Sequence, residues 1–204
     1  MAFREALKFG IPPLVLALVA GVAGWRVTAG ILVLAAAFVF YFFRDPERRV
    51  PQEPGAVVSP ADGRVMEVVE ESFEGRPGNR ISIFLSIFNV HVNRAPVAGR
   101  IESMEYRPGK FYAAMRARAS VENEQNVIRL ETPLGPVIVK QIAGWVARRV
   151  LAWKRVGAAL QRGERLGMIR FGSRVDLWLP AGARIVVSKG QTVHGGSSIV
   201  AQWS

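Results

Sequence analysis

Two almost wholly apolar runs open the chain, from Ile11 to Trp25 and from Ala29 to Phe43, with only the short stretch Arg26–Thr28 between them. This pattern predicts two helices joined by a tight turn. Each run of 15 residues would span about 22 Å as a helix, less than the roughly 30 Å hydrocarbon core of a bilayer. The sequence is therefore consistent with either a shallow helical hairpin or two full membrane spans.

Cations flank the apolar runs on both sides. Arg4 and Lys8 precede the first run, and Arg44, Arg48 and Arg49 follow the second. The positive-inside rule then predicts that both flanks, and the rest of the chain, lie in the cytoplasm. A cleaved signal peptide is the alternative, because the first cations and the first run resemble its n-region and h-region. The second apolar run argues against it, since cleavage after the first would still leave an anchor.

Beyond Pro51 the pattern changes to short runs rich in Val and Ile, separated by Gly and Pro, which is typical of a β-rich domain. The predicted strands are Gly63–Val69, Arg80–Leu85, Arg100–Tyr106, Asn126–Leu130, Pro136–Ile142, Met168–Phe171, Val175–Leu179, Arg184–Val187 and Ser198–Gln202. The segment Thr132–Gly135 predicts a hairpin turn. Between Gly144 and Gly157 the run WVARRVLAWKRV combines helix formers with cations and predicts a helix.

The charge of the chain restricts its partners. With 27 Lys and Arg against 16 Asp and Glu, the net charge is +11, which favours nucleic acid, anionic lipid or an acidic ligand. The apolar runs favour a membrane lipid surface, where each nearby cation gains about 1 kcal/mol from the negative cytoplasmic leaflet. The cations that could face lipid phosphates, or equally form a solvated face, are Arg44, Arg48, Arg49, Arg148, Arg149, Lys154 and Arg155.

The absence of cysteine excludes disulfides, thiolate nucleophiles and Cys-based metal sites. The two histidines, His91 and His194, leave little scope for a histidine-rich metal site, so no metal is predicted.

The Gly172–Ser173 bond, between two predicted strands, could support chemistry. Glycine adopts backbone conformations closed to other residues and leaves its carbonyl open to the neighbouring hydroxyl. Attack by the Ser173 oxygen on the Gly172 carbonyl would convert the amide to an ester. Elimination would then leave dehydroalanine, which hydrolyses to a pyruvoyl group, an electron sink comparable to pyridoxal. A Gly-Ser pair is also ordinary turn chemistry, so this bond alone is weak support.

Two further segments carry polar groups suited to proton transfer. Asp62 stands in a Pro-Ala-Asp-Gly turn before a strand, where it could orient a base as the acid of a Ser-His-Asp arrangement does, or simply form the turn. His91 lies among apolar residues, where a histidine is more often structural, although its pKa range suits proton transfer.

Together these segments resemble the phosphatidylserine decarboxylase family in its short, bacterial or archaeal-like form. The resemblance runs along nearly the whole chain, through FFRDPERRVP, SPADGRV, LSIFNVHVNRAP, ENEQNVIRL, QIAGWVARR and RGERLGMIRFGSRVDLWLP. It implies a mainly β (α+β) fold, with a barrel-like decarboxylase domain at residues 44–204 behind a membrane-associating helical hairpin within residues 1–43. A catalytic role for Ser173, Asp62 and His91 follows by the same resemblance.

The resemblance also implies a reaction. The proenzyme would cleave itself between Gly172 and Ser173 into a large chain and a small chain that stay associated. Ser173 would become a covalent pyruvoyl cofactor, which forms a Schiff base with phosphatidylserine and releases phosphatidylethanolamine at the cytoplasmic face of the cell membrane. Asp62 would assist self-cleavage, and His91 would assist decarboxylation. The oligomeric state stays open, a homo-oligomer included.

One residue departs from the family pattern. Many members have a second histidine three positions after the first, acting as the base for self-cleavage, and this chain has Arg94 there. Either His91 takes both roles or another group activates Ser173. A second Gly-Ser bond occurs at Gly196–Ser197, beside His194, and is interpreted as a glycine-rich turn before the last strand.

Two other classes of function would each account for part of the sequence. A membrane-anchored biotinyl or lipoyl-like β-barrel adaptor would suit the segment IVVSKGQTVHGGSSIV, but Lys189 lacks the apolar neighbours of a carrier lysine. A nucleic-acid binder would suit the positive charge, but the aromatic residues are not interleaved with the cations, so no nucleic acid is expected as a partner.

Overall fold

The computed structural model describes residues 1–116, 118–144, 149–170 and 172–203. The chain divides into two compact units, Met1–Pro46 and Glu47–Ser204.

The first unit is a pair of helices, α1 (Ala2–Val22) and α2 (Arg26–Phe42). The predicted helical pair is present, but the predicted turn at Arg26–Thr28 is wrong. The chain turns at residues 23–25, where Gly24 adopts a left-handed φ of 81°. Glycine reaches this conformation without the steric cost that other residues incur, so the turn forms there and Arg26 begins the second helix.

Small residues on α1 allow the two helices of this unit to pack closely. An added Cβ at Gly10 would lie 2.8 Å from the ring of Phe40. The buried small residues of α1 are Ala2, Ala6, Gly10, Ala17 and Ala20. Most of the large apolar residues between Leu14 and Leu34 point outward. Among the described helices, α1 alone is long and apolar enough to cross a membrane.

The second unit is mainly β, as predicted. Its described elements are β1 (Ala56–Val58), β2 (Gly63–Glu70), β3 (Gly78–Leu85), β4 (Val92–Arg94), β5 (Gly99–Arg107), α3 (Ala119–Glu122), β6 (Gln125–Glu131), β7 (Val137–Ile142), β8 (Val150–Ala152), β9 (Ala159–Leu160), β10 (Arg165–Ile169), β11 (Ser173–Pro180), β12 (Ala183–Ile185), β13 (Thr192–Val193) and β14 (Ile199–Trp203). Each predicted strand overlaps an observed one.

In the described part of the chain the strands form one large sheet and two small ones. The large sheet has the order β13-β2-β3-β11-β7-β6-β5-β9 and curls into a half-barrel, which confirms the barrel-like fold. The small sheets have the orders β1-β14-β12 and β4-β10-β8. All the recorded strand pairs are antiparallel.

The core lies against the inner face of the large sheet. Alternate residues of a strand share one face, so Val175, Leu177 and Leu179 of β11 pack with Ile81, Ile83 and Leu85 of β3. Burying each of these side chains contributes about 1.5–3 kcal/mol. Ser173, at the start of β11, falls on the same face and pairs with Leu85. β11, which carries the candidate nucleophile Ser173, is therefore paired with β3 on one side and with β7 on the other, and its inner face packs in the core.

The predicted helix between Gly144 and Gly157 is wrong in its described part, and residues 145–148 lie outside the described residues. Val150–Ala152 form β8 instead, paired antiparallel with β10. The backbone hydrogen bonds offered by β10, together with the β-branched Val150, outweigh the local helix preference. The hairpin at Thr132–Gly135 is confirmed, since it joins the antiparallel strands β6 and β7.

Candidate active site

The Gly172–Ser173 bond combines an unusual backbone with an unusual side chain. Gly172 has a left-handed φ of 61°, although an added Cβ there would meet no atom within 4 Å. Glycine is thus favoured at position 172 because of the backbone conformation, and not because a larger side chain would meet a neighbouring atom. Ser173 is 0% exposed, and its Oγ has no hydrogen-bond partner among the described residues. A buried hydroxyl left unsatisfied costs about 1–3 kcal/mol, so the fold tolerates a strained arrangement at this bond.

The carbonyl of Gly172 lies directly against Gly144. An ideal Cβ at Gly144 would be 1.9 Å from the Gly172 oxygen, 3.0 Å from its carbonyl carbon and 3.4 Å from Cβ of Ala114. No side chain fits in that space. Gly144 lies in the segment QIAGWVARR but is not among the predicted site residues, because nothing in its local sequence reveals a contact 28 positions away.

Strand register explains how the distant motifs meet at one edge of the large sheet. Ser173 at the start of β11 pairs with Leu85 at the end of β3. On the other side of β3, Arg64 near the start of β2 pairs with Phe84. The loop before β2, which carries Asp62, and the loop after β3, which leads to His91, therefore leave the sheet at the edge where β11 begins.

His91 is buried at the end of the loop that follows β3. Its Nδ1 lies 2.9 Å from the carbonyl oxygen of Asn89. Since a carbonyl only accepts, Nδ1 donates and Nε2 is the basic nitrogen of the neutral ring. The Asn89 side chain in turn accepts hydrogen bonds from the backbone N–H and the hydroxyl of Ser86, at 2.9 and 2.8 Å. The loop thus fixes the tautomer and the position of the imidazole.

The main chain of His91 also connects this loop to β10, the strand that precedes the Gly172–Ser173 bond. Ile169, the last residue of β10, donates its N–H to the His91 carbonyl at 3.3 Å. The next residue, Val92, pairs with Met168. His91 is therefore opposite the end of β10, just as Leu85 is opposite the start of β11.

Asp62 is held by three donors from other parts of the chain. Arg48 Nη2 lies 3.0 and 2.8 Å from the two carboxylate oxygens, and the Gly195 N–H donates to Oδ1 at 2.8 Å. The third is His194, whose Nδ1 lies 3.4 Å from Oδ2. Asp62 has an 8% exposed side chain and His194 a 57% exposed one. The carboxylate is thus a fixed, buried charge with a surface imidazole beside it.

Two of these contacts correct or extend the sequence predictions. Arg48 was among the cations that could face lipid phosphates, but its guanidinium binds Asp62 instead. Lys154 from the same set forms an ion pair with Glu164. Arg149 and Arg155 are exposed, and Arg148 lies outside the described residues. His194 was noted only for its position beside the second Gly-Ser bond, and no local signal indicated its contact with Asp62.

Arg94, where many family members would have a histidine, lies against the same loops. Its backbone N–H donates to the Pro60 carbonyl at 2.9 Å, and its guanidinium donates to the Gly163 carbonyl at 3.1 Å. An added Cβ at Gly196 would lie 2.7 Å from Arg94 Cδ. This position is therefore close to the loop that ends in Asp62 and to the loop that carries His194.

The second Gly-Ser bond lies in a turn before β14, as interpreted from the sequence. The N–H groups of Ser197 and Ser198 both donate to the His194 carbonyl, at 3.1 and 2.9 Å, and the Ser198 hydroxyl accepts from the His194 N–H at 2.9 Å. These polar groups are therefore hydrogen-bonded within the turn. The buried Ser173 hydroxyl, in contrast, has no partner among the described residues.

A buried ion pair anchors the start of β11 on the opposite face of the sheet. Arg174 donates to Asp176 at 2.6 Å and to the hydroxyl of Ser82 at 2.7 Å. Lys140 lies close by, and its burial lowers the pKa of its ammonium group, opposed by attraction to Asp176. The strand segment that follows the Gly172–Ser173 bond is thus fixed by contacts on the face of the sheet opposite to Ser173.

A cavity of about 650 Å³ adjoins the loop that holds His91. Ser86 and Asn89 line it on that side, Arg64 and Lys189 supply positive charge, and Phe84 supplies an apolar wall. The Arg64 side chain is fixed by donating from Nε to the Gly190 carbonyl at 2.9 Å.

Comparison with known proteins agrees with the sequence resemblance. The profile of the family described as phosphatidylserine decarboxylase matches residues 35–201. A phosphatidylserine decarboxylase proenzyme of Cupriavidus pinatubonensis is 49% identical over 182 residues, covering 87% of this chain and 82% of the relative. The chain belongs to the phosphatidylserine decarboxylase family.

Other relatives cover almost the full length of both chains. The phosphatidylserine decarboxylase proenzyme of Symbiobacterium thermophilum is 46% identical over 201 residues, which is 97% of this chain and 93% of the relative. That of Desulfotalea psychrophila is 43% identical over 203 residues, which is 98% and 95%. As a phosphatidylserine decarboxylase family member the chain is a carboxy-lyase, and these comparisons do not support the adaptor alternative.

Proposed function

We propose that this protein is a membrane-anchored phosphatidylserine decarboxylase, made as a proenzyme that cleaves itself between Gly172 and Ser173. One observation carries the assignment of the site. The Ser173 hydroxyl is fully buried, has no hydrogen-bond partner within the part of the chain that the structure describes, and follows directly after a glycine in a left-handed conformation. A structural serine would be expected to satisfy its hydroxyl, whereas a nucleophile must keep it available.

The geometry of this bond supports the proposed self-cleavage. Ser173 Oγ attacks the Gly172 carbonyl carbon, the hydroxyl proton is taken by a base, and the residue 173 nitrogen leaves that carbon as an amine. The resulting ester loses the α-proton of residue 173 and expels the Gly172 carboxylate, which leaves dehydroalanine. Water then releases ammonia and leaves the pyruvoyl group at position 173. Gly144 holds the Gly172 carbonyl, and the Arg174–Asp176 pair holds the strand on the other side of the bond.

The residues around position 173 fit a pyruvoyl group. The side chain there is enclosed by the core, so water has limited access, and residue 173 is held in the sheet by its pairing with Leu85. Held there, such a group would supply an electrophilic carbonyl for the substrate amine and an electron sink for the loss of carbon dioxide.

His91 is proposed to supply the proton that replaces the lost carboxyl group. Its Nδ1–H bond to Asn89 leaves Nε2 to carry and deliver that proton. Burial and the bonded loop keep the ring in one orientation.

Asp62 is proposed to orient the base for self-cleavage. The chain has two histidines, so the imidazole candidates are His91 and His194. The contact with Asp62 favours His194, whereas the burial of both His91 and Ser173 favours His91.

The cavity beside the His91 loop is proposed to bind the lipid headgroup. Arg64 and Lys189 can pair with the phosphodiester, and Phe84 can contact the first part of the acyl region. The outward-facing apolar residues of α1 and α2 would anchor the enzyme within reach of this substrate, at the cytoplasmic face of the membrane.

An intact-mass spectrum under denaturing conditions tests this proposal. Two chains are expected, residues 1–172 and a 32-residue chain, 173–204, that begins with a ketone and lacks a free amine. Incubation of this form with headgroup-labelled phosphatidylserine should give phosphatidylethanolamine. A single unmodified chain of 204 residues, folded and fully incubated, would contradict the proposal.

A further inference from the structure

Three buried carboxamides form a continuous chain of hydrogen bonds next to the candidate active site. Asn126 Nδ2 donates to Gln141 Oε1 at 3.0 Å, and Gln141 Nε2 donates to Asn93 Oδ1 at 2.8 Å. All three side chains are buried. We refer to Asn126, Gln141 and Asn93 as the amide relay.

Two members of the amide relay, Gln141 and Asn126, lie on the inner face of the large sheet, which also carries Ser173. Gln141 pairs with Val175 on β11 and with Asn126 on β6, so the three residues share one face. Ser173 is two residues before Val175 on that same face. Ser173 and Gln141 are therefore diagonal neighbours on adjacent strands. Such residues are about 7–8 Å apart, within reach of a long side chain.

Asn93 connects the amide relay to the His91 loop. It is two residues beyond His91, in β4, and pairs with Gly167 of β10. An added Cβ at Gly167 would lie 3.2 Å from Gln141 Nε2 and 2.2 Å from the Leu151 carbonyl oxygen. Glycine at 167 therefore leaves the space through which Gln141 reaches Asn93.

Among the described residues, the amide relay leaves the Nδ2 donor of Asn93 without a partner. Gln141 and Asn93 each accept through their side-chain oxygen from the preceding member, which places Asn93 Oδ1 towards Gln141 and Nδ2 away from it. Asn93 is 0% exposed, and its Nδ2 has no hydrogen-bond partner among the described residues. An oriented, buried N–H group of this kind requires an acceptor that arrives with a ligand.

We infer that Asn93 Nδ2 donates a hydrogen bond to the carboxylate of the bound substrate, beside residue 173, and that Asn126 and Gln141 hold it in position. This inference rests on the proposed function. A carboxylate only accepts hydrogen bonds, which matches the unused donor. A neutral amide also suits the reaction, because a buried cation would stabilise the carboxylate before it leaves and so raise the barrier to its loss. Asn93 thus distinguishes the serine headgroup from the ethanolamine headgroup of the product.

The variant Asn93→Asp isolates this donor. Its carboxylate has the shape of the amide and can still accept from Gln141, but it replaces the free N–H with an acceptor oxygen. Asn93→Ser shortens the side chain, and Gln141→Met removes the support of Asn93. Asn79→Ala is the matched control, since Asn79 is at the other end of β3, paired with Leu179.

The test captures amines covalently on the processed enzyme and does not depend on turnover. Each protein is mixed with equimolar phosphatidylserine and headgroup-deuterated phosphatidylethanolamine in detergent micelles and reduced with cyanoborohydride. The mass of the 32-residue chain then reports the share of each lipid, because an adduct from the serine lipid lacks the deuterium even if carbon dioxide has been lost.

We expect the serine lipid to predominate on the wild-type protein and on Asn79→Ala. Its share relative to the ethanolamine lipid should fall about 10- to 100-fold in Asn93→Asp, the effect of one hydrogen bond to a charged group. The share of the serine lipid should also fall in Asn93→Ser and in Gln141→Met. An unchanged ratio in whichever of the three variants is processed would overturn the inference. Absence of a 32-residue chain from the wild-type protein would instead refute the proposed function.

Discussion

Replacing Gly144 with alanine should stop or strongly slow self-cleavage while leaving the fold intact. The ideal Cβ would be 1.9 Å from the Gly172 carbonyl oxygen, and Cβ atoms essentially never approach another atom closer than 3.0 Å. The Gly144 backbone and the Gly172 carbonyl must therefore separate by more than 1 Å, which disturbs the position of the carbonyl. Since a misplacement of about 1 Å at reacting atoms can reduce a rate about 100-fold, we expect a loss of that size in the rate of self-cleavage.

The assay follows freshly translated protein at 25 °C and measures the fraction of whole chain by intact mass over time. Gly182→Ala is the control, because the nearest atom to an added Cβ at Gly182 is 4.0 Å away. It should be processed at the wild-type rate, and so it reports any general effect of glycine replacement in this domain.

Loss of stability must be separated from loss of reactivity. Overpacking costs about 1–3 kcal/mol, so Gly144→Ala is also placed in a Ser173→Ala background, where neither protein can be processed. Urea unfolding of this pair compares the two proenzymes directly. A folded Gly144→Ala protein with a half-time within twofold of the wild type would refute the argument that Gly144 positions the scissile carbonyl.

Three further predictions concern the proposed catalytic residues. Ser173→Ala should remain one whole, inactive chain by intact mass while Ser197→Ala is processed normally, and the reverse pattern would move the cleavage site to the second Gly-Ser bond. His91→Ala should slow phosphatidylserine turnover per processed chain at least tenfold, because the proton donor is lost, and unchanged turnover would remove it from the mechanism. Asp62→Asn should slow self-cleavage at least tenfold because the carboxylate that orients the base is lost, and a His194→Ala rate within about threefold of the wild type would leave His91 as the base. Equal slowing in both would identify His194 as the base.

The sequence by itself determined the elements whose signal is local. Apolar runs predicted the helical pair, and Val- and Ile-rich runs predicted the longer strands, because side-chain periodicity acts over neighbouring residues. The order of the motifs around Asp62, His91 and Ser173 predicted the family, which the comparisons confirm.

Four of the short strands were not predicted, because they are too short to have a periodicity of their own. The strands β1, β4, β9 and β13 contain two or three residues each and exist because a partner strand offers hydrogen bonds. The same cause placed β8 where a helix was predicted, since pairing with β10 outweighs the local preference of Val150–Ala152.

Only the tertiary structure decided which side chains meet. The contacts of Gly144 with Gly172, of Arg48 and His194 with Asp62, and the amide relay all join distant segments. Strand register brings these segments together, and register is set by the burial of one whole face of the sheet. The sequence therefore indicated the Gly172–Ser173 bond as the candidate site, while the folded sheet determined that the Gly172 carbonyl lies against Gly144 and that Asn93 is buried at the end of the amide relay.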